Sequence, residues 1–245
     1  REAISHEGRN HEAWSIRANS SFNLGNFQDA GFEFREAISL KPDSAEYHFD
    51  YGDAFAQLGS LTEARGEYEA ALRLEPGNPL YRTAVASIQL KQGESEAALA
   101  LMESVVSEFP DQQFFQYYLA LAIEAVQLTK WSQVGNGNWI ITSEAQIEVT
   151  RQMSSRALAL KFDDEPLRRS LQQNLELAEK AAQMKWFHSN LGGWAVALLI
   201  GVCLVAAKGV GLLVIAAVVG LYWMTHRMPV WKHNSKMPGI VRRGI

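Results

Sequence analysis

The sequence predicts an all-α protein: a solenoid of helix–turn–helix repeats followed by a C-terminal transmembrane helical hairpin. Two observations carry this expectation. A 34-residue period runs through the first half of the chain, and an apolar run from Leu191 to Met224 holds a single charge, Lys208. A third observation separates the two parts. All 27 acidic residues precede position 191, where they outnumber 17 Lys and Arg to give a net charge of −10, whereas the last 55 residues carry +6. An acidic body argues against nucleic acid as a partner, because phosphates require a basic surface.

In chain order, the first element is a remnant. Arg1-Glu2-Ala3-Ile4-Ser5 recurs as Arg35–Ser39, again at an offset of 34, so residues 1–10 are expected to end a truncated earlier repeat. Three repeats follow at 11–44, 45–78 and 79–112. Gly25, Gly59 and Gly93 fall in phase, as do Ala30, Ala64 and Ala98, and Pro42, Pro76 and Pro110. Glycine at a helix end accepts the left-handed backbone that closes it. Alanine lets two antiparallel helices approach, and Phe34, Tyr68 and Met102, four residues later, fill the space between them. Proline stops the second helix, because it cannot donate into a continuing ladder.

This pattern resembles the tetratricopeptide repeat, a helix–turn–helix unit of 34 residues. The large–small–large signature of its first helix is met by Tyr51, Gly52 and Phe55, partly by Trp14 and Ala18, and weakly by Val85 and Ala86. Arg17, Ser21 and Gln89 depart from it, standing where the family is usually apolar.

A fourth, repeat-like unit is expected over 113–162. Its first helix is read at 114–126 and its second at 144–162, with Ala157 lying 18 residues beyond position 139, where the period puts it. The inserted loop, 129–143, contains Gly135-Asn136-Gly137-Asn138 between Trp131 and Trp139, which suggests a short β-hairpin. Trp131 and Trp139 are either a recognition loop for a partner or a loop folded back on its own domain. Residues 163–188 are expected to form a capping and linking amphipathic helix, with apolar residues at 167, 171, 175, 178 and 182.

The membrane hairpin is expected over 189–226. As one straight helix, Leu191–Met224 would be about 51 Å long, against roughly 30 Å of hydrocarbon. Dividing it at Lys208-Gly209 gives two short spans and places the lysine at the tip, where it reaches headgroups. Gly193, Ala197 and Gly201, and likewise Ala216 and Gly220, recur at four-residue spacing suited to close helix packing. Basic residues on both flanks then place the repeats and the tail, 227–245, in the cytoplasm by the positive-inside rule.

No catalytic, metal or cofactor-binding constellation is present in the sequence. The six histidines show no ligand spacing, and the lone Cys203 lies between Val202 and Leu204 in the apolar run. The resemblance implies instead a protein-binding groove lined by the first helix of each repeat. The positions it implies are Glu12, Ser15, Asn19 and Phe22; Glu46, Phe49, Asp53 and Ala56; Leu80, Thr83, Ser87 and Leu90; and Phe114, Tyr117, Leu121 and Glu124. Some family members grip acidic chaperone peptides with Asn, Lys and Arg. Here only Asn19 fits that clamp, and Asp50, Leu80 and Ala84 stand where the others are needed, so a segment carrying basic and apolar residues is expected. The sequence thus reads as a membrane-anchored, non-enzymatic interaction scaffold, a subunit or assembly factor of a membrane complex. The alternative is the anchor and interaction region of a larger regulatory protein or co-chaperone whose active domain lies upstream of Arg1.

Overall fold

A computed structural model describes residues 10–135, 137–187 and 211–241, together with Ala195 and Val202. The chain divides into two compact units, one comprising Arg1–Val126 with Leu160–Asp164, the other Gln127–Ala159 with Glu165–Ile245.

The first unit is the repeat array. Its helices are α1 (His11–Asn23), α2 (Phe27–Leu40), α3 (Ala45–Gln57), α4 (Leu61–Leu74), α5 (Pro79–Lys91) and α6 (Ser95–Glu108), followed by most of α7 (Gln113–Lys130). The turn within each repeat is set by its periodic glycine. Gly25, Gly59 and Gly93 take φ of 78°, 76° and 82°, a region closed to most residues. In the first turn Gly25 N–H donates to Phe22 C=O at 2.9 Å and Asn26 N–H to Ser21 C=O at 2.9 Å. This double closure satisfies carbonyls that the helix end would leave bare, and it recurs at Gly59-Ser60 and Gly93-Glu94. Asn10 and Asn78 cap α1 and α5 by accepting N–H bonds through their side chains.

The periodic alanines Ala30, Ala64 and Ala98 are fully buried, and Phe34, Tyr68 and Met102 are buried as well. Successive repeats share these clusters: Ala18, Ala30, Phe34 and Ala54 form one, and Ala64, Tyr68, Val85 and Ile88 another. The polar residues that break the pattern in the first repeat have a local explanation. Glu33 of α2 is 1% exposed, and it receives Arg17 Nε at 2.5 Å and Ser21 Oγ at 2.7 Å. Arg17 and Ser21 therefore replace an apolar contact by a paired buried carboxylate.

The second unit begins with the last turn of α7. The insertion forms β1 (Ser132–Gln133) and β2 (Trp139–Ile140), which pair antiparallel. Then follow α8 (Glu144–Leu158), α9 (Glu165–Ala182), β3 (Met184–Trp186), α10 (Gly211–His226), β4 (Arg227–Pro229) and α11 (Val230–Asn234). Its core gathers Trp131, Ile141, Ile147, Ala178 and Ala181, with Leu128, Trp139, Ala182 and Trp231 packed against them. Helix α9 is amphipathic, but it ends at Ala182 rather than continuing to 188 as expected, because residues 184–186 form β3. Its buried stripe is Leu167, Leu171, Asn174, Ala178 and Ala181, one step from Leu175 and Ala182 at two positions.

The apolar run is only partly described. Lys208, Cys203, Gly193, Ala197 and Gly201 lie outside the described residues, so neither the turn at Lys208-Gly209 nor the first small-residue stripe is seen. Ala216 and Gly220 lie on α10 and are exposed. Helix α10 has 16 residues, or about 24 Å. Among the described residues no helix is long and apolar enough to cross a membrane. The segments that flank the run are, however, joined. β3 pairs antiparallel with β4, placing Met184 opposite Pro229 and Trp186 opposite Arg227, and the ladder continues through Phe187 N–H to His226 C=O at 3.0 Å and Val230 N–H to Gln183 C=O at 3.1 Å. The tail is also a structured part of this unit. Asn234 Nδ2 donates to Ile141 C=O at 3.1 Å, and Val241 and Gln133 exchange backbone bonds of 2.8 and 3.1 Å.

Candidate functional site

Within the first unit, α3, α5 and α7 line a cavity of about 280 Å³, into which Tyr68 of α4 also projects. Phe49, Asp53, Thr83 and Ser87, all groove positions implied by the repeat, line it, together with Ala56, Leu80 and Phe114. The hydroxyls of Thr83 and Ser87 are turned into their own helix, to Pro79 C=O at 2.7 Å and Ala84 C=O at 2.8 Å. These two residues therefore offer the cavity mostly carbon.

Asp53 is the polar centre. Tyr68 Oη donates to its Oδ1 at 2.5 Å. Burial pushes the Asp53 carboxyl above its ordinary range, while the Tyr68 hydrogen bond and the charge of Lys91 pull it back. Burial, and then the nearby Asp53 charge, push the Tyr68 hydroxyl well up, so it remains a donor. One helical turn before, Asp50 is raised to about 7, first by burial and then by the like charges of Glu46 and Asp53, against a hydrogen bond from Asn19. Asn19 thus contributes by holding a carboxylate of the second repeat.

The raised Asp50 gives a pH dependence of known sign. Its carboxyl ordinarily titrates near 3.8, and in the fold near 7. Between those values the native state holds a proton that the unfolded chain has lost, so this group's contribution to stability falls as pH rises through the window. Asp50→Asn should raise the melting temperature at pH 8 and give no such gain at pH 4. Equal shifts at both pH values would show that the charge of Asp50 is not what matters.

Other groove positions lie elsewhere. Phe22 packs on the Ala18–Phe34 cluster and meets Phe27 edge-on at 5.2 Å, so it is part of the first repeat's core rather than of the cavity. Tyr117 is turned towards Phe162, 6.4 Å away, and Leu121 is half-buried on α7 outside the cavity lining. The lining residues of α7 are Phe114 and Tyr118, with ring centroids 5.1 Å apart. Their i, i+4 spacing was the available signal for Tyr118. Tyr68 and Lys91 fall outside a rule that considers only four positions of each first helix.

Of the two readings of the insertion's tryptophans, the structure shows the loop folded back on its own unit: Trp131 is in the core and Trp139 packs against it. Trp131 is 3% exposed and its Nε1 donates to Thr150 Oγ1 at 2.8 Å. Trp139 packs against the same cluster, where Trp231 of the tail also sits. Gln146 braces this hairpin: its Oε1 accepts Thr142 N–H at 2.7 Å, and its Nε2 donates to Lys130 C=O at 2.8 Å. The physical reason is that an indole ring with a satisfied N–H is more stable inside a core than in water. Among the described residues no group of three or more His, Cys, Asp or Glu could hold a metal ion.

Comparison with known proteins agrees with this geometry. Residues 17–79 match the tetratricopeptide repeat family. The TPR repeat-containing thioredoxin TTL4 of Arabidopsis thaliana is 31% identical over 122 residues, covering 47% of this chain and 18% of that protein. TPR repeat-containing protein PA4299 of Pseudomonas aeruginosa is 34% identical over 79 residues, 32% of each chain. The chain therefore spans less than a third of either relative's length. Among solved structures, MamA from Desulfovibrio magneticus superposes with a TM-score of 0.51 at 18% identity, over 69% of this chain and 89% of that one. YrrB, described as a TPR protein with an unusual peptide-binding site, gives 0.50 at 12% identity, over 72% and 80%. The first unit has the all-α helix–turn–helix solenoid fold of these structures, and it contains the residues that match the tetratricopeptide repeat.

Proposed function

We propose that this protein is a membrane-anchored interaction scaffold that holds a partner's polypeptide segment in its repeat groove, as a subunit or assembly factor of a membrane complex. The observation that carries the binding part is the cavity of Phe49, Asp53, Leu80, Phe114 and Tyr118. It combines aromatic walls with a carboxylate, which suits a segment bearing apolar and basic residues. Phe114 and Leu80 are about half exposed there, more than folding alone requires of large apolar side chains flanking one groove.

The anchoring part is supported by the β3–β4 pairing. A stretch whose two ends are hydrogen-bonded side by side enters and leaves a bilayer on one face, which requires an even number of crossings. Val219, Leu221, Trp223 and Met224 of α10 are at least half exposed, Met224 to 78%, as lipid-facing residues would be. Arg227 stacks over Trp223 at 4.9 Å, an aromatic–basic pair suited to a headgroup boundary. In this reading the repeats and the tail both lie in the cytoplasm.

Site-specific photo-crosslinking tests the groove. A photoreactive phenylalanine analogue at Phe114 should crosslink to a defined segment of a partner, and the same analogue at Phe32, on the exposed side of α2, should not. Equal crosslinking from both positions would sink the groove assignment. Topology reporters placed before Glu165 and at the C-terminus should report the same side of the membrane.

A further inference from the structure

The groove reading leaves open which chemical group enters the cavity, and the cavity itself favours one. We infer that it receives a single cationic side chain, lysine or arginine, from the bound segment, with Asp53 as counter-charge and Phe49, Phe114 and Tyr118 as walls. This rests on the groove reading and specifies it further.

Three features converge on that occupant. The space of about 280 Å³ is an order of magnitude more than one water needs, so it admits a long side chain. Phe49, Phe114 and Tyr118 supply aromatic rings to its walls, and the π face of such a ring attracts a cation when water is excluded. Phe49 lies 5.6 Å from Tyr68 and 5.1 Å from Tyr81, so its ring is held in place from two sides. The charge is complementary and oriented. Asp53 is fixed by Tyr68 through Oδ1, and among the described residues its second oxygen accepts no hydrogen bond.

The surrounding field has the same sign. Glu46 and Asp50 precede Asp53 on the same face of α3, at spacings of four and three residues, and both act on one electrostatic neighbourhood. Lys91 is the cation among the lining residues. It is exposed, so an incoming cation can displace it into water. An acidic segment would instead meet Asp53 and the acidic face of α3 beside it, so the polarity of this groove is opposite to that of a carboxylate clamp.

A peptide library identifies the occupant whatever the partner. Random nine-residue peptides displayed on phage are selected against the full chain in mild detergent, and the enriched peptides are synthesised for calorimetry. The expected result is Lys or Arg enriched at one position flanked by apolar residues. Binding should weaken at least tenfold in Asp53→Asn, which retains an acceptor for Tyr68, with no loss of melting temperature. Asp53→Lys should shift the enrichment at that position towards Asp and Glu. Apolar-rich peptides that lose affinity in Phe114→Ala but show no basic preference would overturn the cation subsite and leave the groove reading standing. Peptides indifferent to Phe114→Ala and Tyr118→Ala, or no enrichment at all, would overturn both.

Discussion

Arg17→Met is expected to lower the stability of the first repeat by about 3 kcal/mol, the cost of leaving a buried carboxylate without its cation. Glu33 is 1% exposed and has two partners, Arg17 and Ser21. Ser21 alone gives one neutral hydrogen bond, worth roughly 1 kcal/mol, too little to hold a charge out of water. Methionine fills a similar length without a charge, so the effect isolates the ion pair. In a repeat array the loss stays local, because each repeat contacts only its neighbours. Amide hydrogen exchange is therefore the right measurement: protection in α1 and α2 should fall roughly a hundredfold, while α5 and α6 change little. The triple variant Arg17→Met, Ser21→Ala, Glu33→Met should recover most of the loss, since it restores the apolar contact typical of such repeats. A single variant with near-normal protection would mean that Glu33 finds another partner or water without cost.

Gly52→Ala should also be strongly destabilising, although alanine is the better helix former by about 1 kcal/mol. A Cβ at position 52 would lie 2.6 and 2.7 Å from two ring carbons of Tyr68 and 3.3 Å from Ala64 C=O. The ring cannot yield, because it packs beside Phe49 and its hydroxyl is tied to Asp53. Overpacking of this kind costs about 1–3 kcal/mol, and here the steric term wins over propensity. The variant should melt at lower temperature and bind the selected peptides more weakly, since displacing Tyr68 releases Asp53. Gly52→Ala that raises the melting temperature would show that helices α3 and α4 have room to separate.

Much of this fold was legible in the sequence, for reasons that Gly25, Ala30 and Pro42 make plain. Each acts through its backbone or its size, and each recurs at 34-residue spacing, so position in the period reports local structure directly. The groove was legible in part. Phe49, Asp53, Thr83 and Ser87 followed from repeat positions, but Tyr118 rather than Tyr117 turns inward. One residue on a helix rotates the side chain by about 100°, and the fourth repeat departs from the period that fixed the others. Arg17 and Ser21 looked like defects because their partner, Glu33, lies on the next helix. The tryptophans of the insertion were ambiguous for a similar reason: Trp131 is satisfied by Thr150, and Trp139 packs with Trp231 in one cluster. No local pattern announces a contact between residues that distant.

The pairing of β3 with β4 also bears on biosynthesis. The core of the second unit draws on residues made before the apolar run, such as Trp131 and Ile141, and on residues made after it, Trp231 and Asn234. Until the later group arrives in the same compartment, the hairpin lacks Asn234 at Ile141 C=O and Val241 beside Gln133. If the apolar run inserts as proposed, a chain that crossed only once would strand its tail on the wrong side. It would carry an unfinished domain, open to proteases and holdases. On that proposal, completion of the second unit would serve as a proofreading step, in which only correctly routed molecules close.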